Sequence, residues 1–123
     1  MSYKFYNANA RGVFVNDCTI RAISLAEGKT WDETYEELSG IAQFNGIILD
    51  DVNFIEPLLD SRYKRVCYKS KTVGEFAEEN PYGVFLITMN GHITCCVNGV
   101  IYDTFDCRNR TMWCAWRVVD YKE

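Results

Sequence analysis

The chain holds one histidine, His92, and one glutamine, Gln43, so any imidazole chemistry has a single possible location. It has no basic surplus. Thirteen Lys and Arg against seventeen Asp and Glu leave a formal net charge of −4, which excludes phosphate-backbone binding as the main task. Apolar runs are short, and none approaches the roughly 18 residues a membrane span needs. The opening stretch MSYKFYNANARGVFV lacks the continuous apolar segment of a secretory signal. These absences predict a cytoplasmic protein with no nucleic-acid and no membrane partner, its thiols kept reduced. There are no repeats, linkers or low-complexity tracts, so residues 1–123 are expected to form one domain. Apolar residues at 48% and aromatics at 15% suffice for a hydrophobic core.

What is present divides into a helical part and a β part. A helix is predicted to open at Asp17-Cys18 and stop at Gly28, with Asp17 capping its first turn. A second starts at Thr30 with Glu33 as a capping box, and Trp31, Tyr35, Leu38 and Ile41 form its apolar stripe. Asp51 to Leu59 fits a third, kinked or split at Pro57. Arg65 to Tyr68 fits an edge strand, and Thr72 with Glu75 caps a last short helix ended by Pro81. Then VFLITM, HITCCV and VIYDTF follow, separated by Asn90-Gly91 and Asn98-Gly99, a dipeptide suited to two-residue hairpin turns. A final strand is expected over Met112 to Val119. The fold class is α+β, with N-terminal helices packed on a C-terminal antiparallel β-meander.

Hairpin register selects the residues that could carry chemistry. A two-residue turn at Asn98-Gly99 pairs Val97 with Val100, Thr94 with Asp103 and His92 with Phe105. His92 and Asp103 then share a sheet face on a diagonal of about 7–8 Å, which their side chains can close. A carboxylate there holds one imidazole nitrogen and leaves the other for a nucleophile. Asp106 falls on the opposite face. Cys18 opens a helix, where unpaired amides and the helix dipole favour a thiolate. Plainer readings exist for each: a polar residue beside a turn for His92, a solvated strand carboxylate for Asp103, a buried helix cysteine for Cys18. Of the six cysteines, Cys67, Cys95, Cys96, Cys107 and Cys114 are taken as structural. Cys95 and Cys96, being adjacent, should face opposite ways. His92, Cys96, Cys107 and Cys114 offer zinc-ligand chemistry, but without the usual knuckle spacing, and no metal is expected. Trp113, Trp116, Tyr102 and Phe105 read as core, one or two of them lining a groove. Arg108, Asn109 and Arg110 form a basic loop.

The segments NDCTIRAISLAEGKTWDETYEEL and GHITCCVNGVIYDTFD, a helix-opening cysteine and later a strand-opening histidine followed by an acid, resemble the papain-like cysteine peptidase superfamily. The nearest branch is that of the bacteriocin-leader-processing peptidases and small phage-encoded relatives. The resemblance implies a papain-like fold with Cys18 as nucleophile, His92 as general base and then acid, and Asp103 as orienting residue. It implies a peptide or protein substrate, an acyl-enzyme, and no cofactor. The family's oxyanion-stabilising Gln, about six residues before the nucleophile, falls here on Gly12; Asn16 or Asn9 is the available substitute, beside the Cys18 amide. The competing function is a binding protein on the same scaffold, such as a phage-encoded inhibitor of a host system. A zinc-binding module is a third.

Overall fold

The structure is a computed structural model that describes residues 2–49, 52–68 and 70–118, the side chains of residues 52 and 53 excepted. Asp51 and Val119, which the expected third helix and last strand included, lie outside that description. In chain order the elements are β1 (Tyr3–Phe5), α1 (Cys18–Glu27), α2 (Trp31–Phe44), α3 (Val52–Arg62), β2 (Lys64–Cys67), α4 (Val73–Glu79), β3 (Val84–Met89), β4 (His92–Val97), β5 (Val100–Asp103) and β6 (Met112–Val118). The chain is α+β.

The helices start and stop where local chemistry directs. Both capping boxes form: Thr30 with Glu33 opens α2, and Thr72 with Glu75 opens α4. Gly28, at φ 68°, ends α1 in the left-handed conformation, with the Lys29 amide closing back on the Ser24 carbonyl. Two helical expectations need correcting. The buried line of α2 is Thr34, Leu38 and Ala42, spaced four apart, while Tyr35 lies outside and stacks on Trp31. Pro57 sits inside α3 without ending it, and the helix runs on to Arg62. Phe54 and Leu59, on either side of the proline, are both buried in the core.

The sheet has six strands in the order β1-β5-β4-β3-β6-β2. The β4–β5 turn has positive φ at both Asn98 and Gly99, and pairs Val97 with Val100, Cys96 with Ile101 and Cys95 with Tyr102. This is the register read from the sequence. The expected meander stops at β5, however. β6 crosses back to pair antiparallel with β3, β2 adds to its far side, and β1 pairs parallel with β5. Strands therefore precede and interrupt the helices, and the order is not helices first and sheet second. β1 escaped detection because three residues centred on a lysine carry no period.

The sheet is covered on both faces. Ile20 and Ile23 of α1, Leu38 of α2, and Phe54 and Leu59 of α3 pack on Leu86, Ile93, Cys95 and Trp116. On the other face, Val73, Phe76 and Ala77 of α4 pack on Phe85, Ile87, Cys96, Ile101 and Ala115. Cys95 and Cys96 do face opposite ways. Side chains fully buried in this manner stabilise by about 1.5–3 kcal/mol each. Among the described residues no helix is long and apolar enough to cross a membrane.

The expectation that all six cysteines are reduced thiols is overturned. Cys67 of β2 and Cys114 of β6, direct cross-strand partners, form a disulfide. The pair was missed because the two cysteines lie 47 residues apart and the register that joins them comes from a strand crossing the sheet. Alkylation in denaturant should tag four cysteines without reduction and six after it. The bond closes a long loop, so its removal should cost about 2–4 kcal/mol and lower Tm on the order of 10 °C. Six tags without reduction, or a Tm indifferent to reductant, would mean the bond does not form.

Candidate active site

α1 delivers Cys18 at its first position and β4 delivers His92 at its first position, and the two helix and strand ends meet beside the sheet. The Cys18 thiol lies within interaction range of the His92 ring and of the Ile93 backbone. His92 Nε2 lies 2.6 Å from Asp103 Oδ2. A carboxylate only accepts, so Nε2 carries the proton and Nδ1 is left for the sulfur. The structure thus brings together Cys18, His92 and Asp103. Asp106 is exposed and turned to Arg108.

Asp103 is buried to 3% exposure and its two oxygens are fully engaged. Oδ2 faces His92 and accepts from the Cys107 thiol at 3.8 Å; Oδ1 accepts from the Thr104 amide at 2.7 Å and from Arg21 at 3.4 Å. The Phe105 ring lies 4.8 Å from the His92 ring and covers it. A small cleft beside the sulfur is lined by Tyr6, Arg21, Ile93 and Tyr102.

Electrostatics set Cys18 apart from the other thiols. Burial pushes its pKa up, but the His92 hydrogen bond, the Ile93 amide and the charges of His92 and Arg21 outweigh burial, and the net shift is downward. Burial pushes His92 down, yet its bonds to Asp103 and Cys18 raise it to about 9. Burial also pushes Asp103 up, and its bond to His92, the nearby Thr94 hydroxyl and the charge of His92 bring it below the usual carboxylate value. By contrast, burial raises Cys95, lifts Cys96 to about 11 and lifts Cys107 to about 12. Cys18 and His92 are therefore poised as a thiolate–imidazolium pair between the lowered thiol value and about pH 9.

Two sequence readings change at this site. Asp17 occupies the N-cap of α1 but makes no side-chain cap. One of its oxygens pairs with Arg21 and the other accepts from Trp31 Nε1 at 2.9 Å, leaving the first-turn amides, Cys18 among them, uncapped. Gly12, where the resembling family carries Gln, has φ 72° and closes a turn onto the Asn9 carbonyl, so the backbone there favours glycine. Asn16 is exposed one residue before Asp17; Asn9 is buried and accepts from the Arg11 amide. Arg21 was missed altogether, although its spacing of four from Asp17 on a helix is an ion-pair signal.

Among the described residues, His92, Asp103 and Cys107 offer one donor atom each within 4.8 Å of one another. They fit a resident metal poorly, because Asp103 is already saturated by His92, Arg21 and Thr104. Of the cysteines considered for zinc from sequence, Cys114 is in the disulfide and Cys96 packs in the apolar core under α4. Compared with protein-family models, curated proteins and solved structures, the chain matches none of them.

Cys18 should be the first thiol alkylated by iodoacetamide at neutral pH, its rate falling only as pH drops through the lowered thiol value. His92→Ala should move that inflection up toward the ordinary thiol value of about 8.5. Mapping of modified peptides checks the order, and Cys107 reacting first would refute the thiolate assignment.

Proposed function

We propose that this protein is a papain-like cysteine hydrolase that acts on a peptide or other amide bond through an acyl-enzyme. The single observation that carries this reading is that the one histidine of the chain stands within interaction range of a thiol and holds a buried carboxylate at Nε2. Support also comes from the lowered thiol value, confined to Cys18 among the free cysteines, and from the chain order Cys, His, Asp.

The chemistry follows from these groups. The Cys18 thiolate attacks the substrate carbonyl carbon, and the electron pair of the C=O bond moves onto oxygen. The Cys18 amide, uncapped in the first turn of α1, and the exposed Asn16 side chain are the donors assigned to that oxyanion. Collapse breaks the C–N bond, and the His92 imidazolium gives its proton to the departing amine. His92, now neutral, removes a proton from water, whose oxygen attacks the thioester carbon. The acid product leaves and the thiolate–imidazolium pair is restored. Asp103 keeps the ring oriented and favours its protonated form without taking the proton itself. A peptide or protein is the substrate class; the Cys67–Cys114 disulfide, a kind of bond rare where thiols are kept reduced, speaks against the cytoplasmic location expected from the sequence.

A second reading, a binding protein on an inactive scaffold, is favoured by one observation: the turn at Gly12 leaves no glutamine at the oxyanion position. A peptidyl vinyl sulfone separates the two. The enzyme should be labelled on Cys18, and p-nitrophenyl acetate should release a burst of one nitrophenolate per chain. Cys18→Ala should abolish both, and His92→Ala should slow them by about 10²–10⁴-fold. Activity should decline on the alkaline side, because the imidazolium is lost as pH rises through the His92 value of about 9. Absence of label and burst would leave the binding protein.

A further inference from the structure

Arg21 stands one turn after Cys18 on α1, and its side chain is 11% exposed between two carboxylates that are more deeply buried still. One terminal nitrogen pairs with Asp17 and the other lies 3.4 Å from Asp103 Oδ1. Asp17 is in turn held by Trp31 Nε1 at 2.9 Å, and the Trp31 ring is fixed between Tyr35 and the Arg11 guanidinium. The contacts close a ring: Asp17 to Arg21, Arg21 to Asp103, Asp103 to His92, His92 to Cys18, which follows Asp17 in the chain.

We propose that Arg21 is a positioning residue for the reaction: it fixes the carboxylate that orients His92 and ties that carboxylate to the helix carrying the nucleophile. This rests on the thiol-hydrolase reading and adds to it a residue outside the triad. An arginine needed only to neutralise Asp17 could lie along the helix surface, since residues four apart meet there. Instead its planar fork spans both acids, a geometry that a single ammonium group cannot reproduce. Four donors, from His92, Cys107, Thr104 and Arg21, then hold Asp103 in one orientation. Its oxygen Oδ2 stays directed at Nε2, and Nδ1 stays directed at the sulfur.

The same cation acts on the thiol. The charged and polar groups that face Cys18 are His92 and the Ile93 amide of β4 and Arg21 of its own helix. Those that face Asp103 are His92 and Thr94 from β4, Arg21 from α1, and Thr104 and Cys107 from the segment after β5, with the Tyr3 hydroxyl of β1 on its carbonyl oxygen. Apart from His92, Arg21 alone in this company is a cation. Removing it takes positive charge from a site whose working form includes a thiolate, so the thiol value must rise.

The test compares Arg21→Gln and Arg21→Lys with the unmodified protein. It follows the pH profile of Cys18 alkylation by iodoacetamide and the turnover of p-nitrophenyl acetate, with Tm recorded alongside. Arg21→Gln should move the acid limb of alkylation to higher pH and slow turnover about tenfold or more, equivalent to about 1.4 kcal/mol of barrier. Arg21→Lys should restore the limb but only part of the turnover, because charge returns without the fork. A structural role alone would lower Tm in both variants and leave the limb in place, and that result overturns the proposal. Should Arg21→Gln fail to fold, Arg21→Met, which keeps most of the stem's volume without the charge, is judged by the same limb. Failure of the unmodified protein to label at Cys18 would strike the hydrolase reading itself; normal labelling with an unmoved limb strikes only the role of Arg21.

Discussion

Asp103 is a carboxylate buried beneath the sheet edge, and a charge in that position is costly unless it is paired and hydrogen-bonded. Its environment supplies both: an imidazole and a backbone amide on different oxygens, with a guanidinium behind the second. The arrangement keeps a negative charge where water is scarce, and that charge makes His92 hold its proton. The held proton stabilises the thiolate of Cys18. The protonation state of the thiol at one end of the site thus depends on the surroundings of an acid at the other.

The scaffold that permits this is made of chain ends and strand ends, with none of the three side chains in the middle of an element. Cys18 begins α1, His92 begins β4, and Asp103 ends β5. The β4–β5 hairpin sets the relation of His92 to Asp103, and the packing of Ile20 and Ile23 on Ile93 and Cys95 sets the relation of both to α1. Apolar burial supplies the stability, while the polar groups at the rim supply direction.

Much of this was legible from residues alone, because it depended on local rules. The Asn98-Gly99 turn fixed a register of period two, which brought Asp103 inward and left Asp106 out. Thr-x-x-Glu opened two helices, and Gly28 closed a third. What stayed hidden depended on contacts distant in sequence. β1 exists only because β5 offers it an edge, and Pro57 is tolerated only because Phe54 and Leu59 are both buried. The Cys67–Cys114 bond needed the crossing of β6. Asp17 looked like a helix cap, and its carboxylate was instead taken up by the charged Arg21 guanidinium and the Trp31 indole.

The parallel pairing of β1 with β5 has a consequence in time. Tyr3 bonds Asp103 across a separation of 100 residues, and Arg21 reaches it across 82. Contacts of such separation form late, after loop closure has been compensated by burial elsewhere. During synthesis the cysteine emerges first, and Asp103 follows more than eighty positions afterwards. Until then the thiol is an ordinary one, largely protonated at neutral pH. On the proposed reading, a nascent chain would carry Cys18 through the crowded interval around the ribosome in a muted form, its thiolate arriving with completion of the fold.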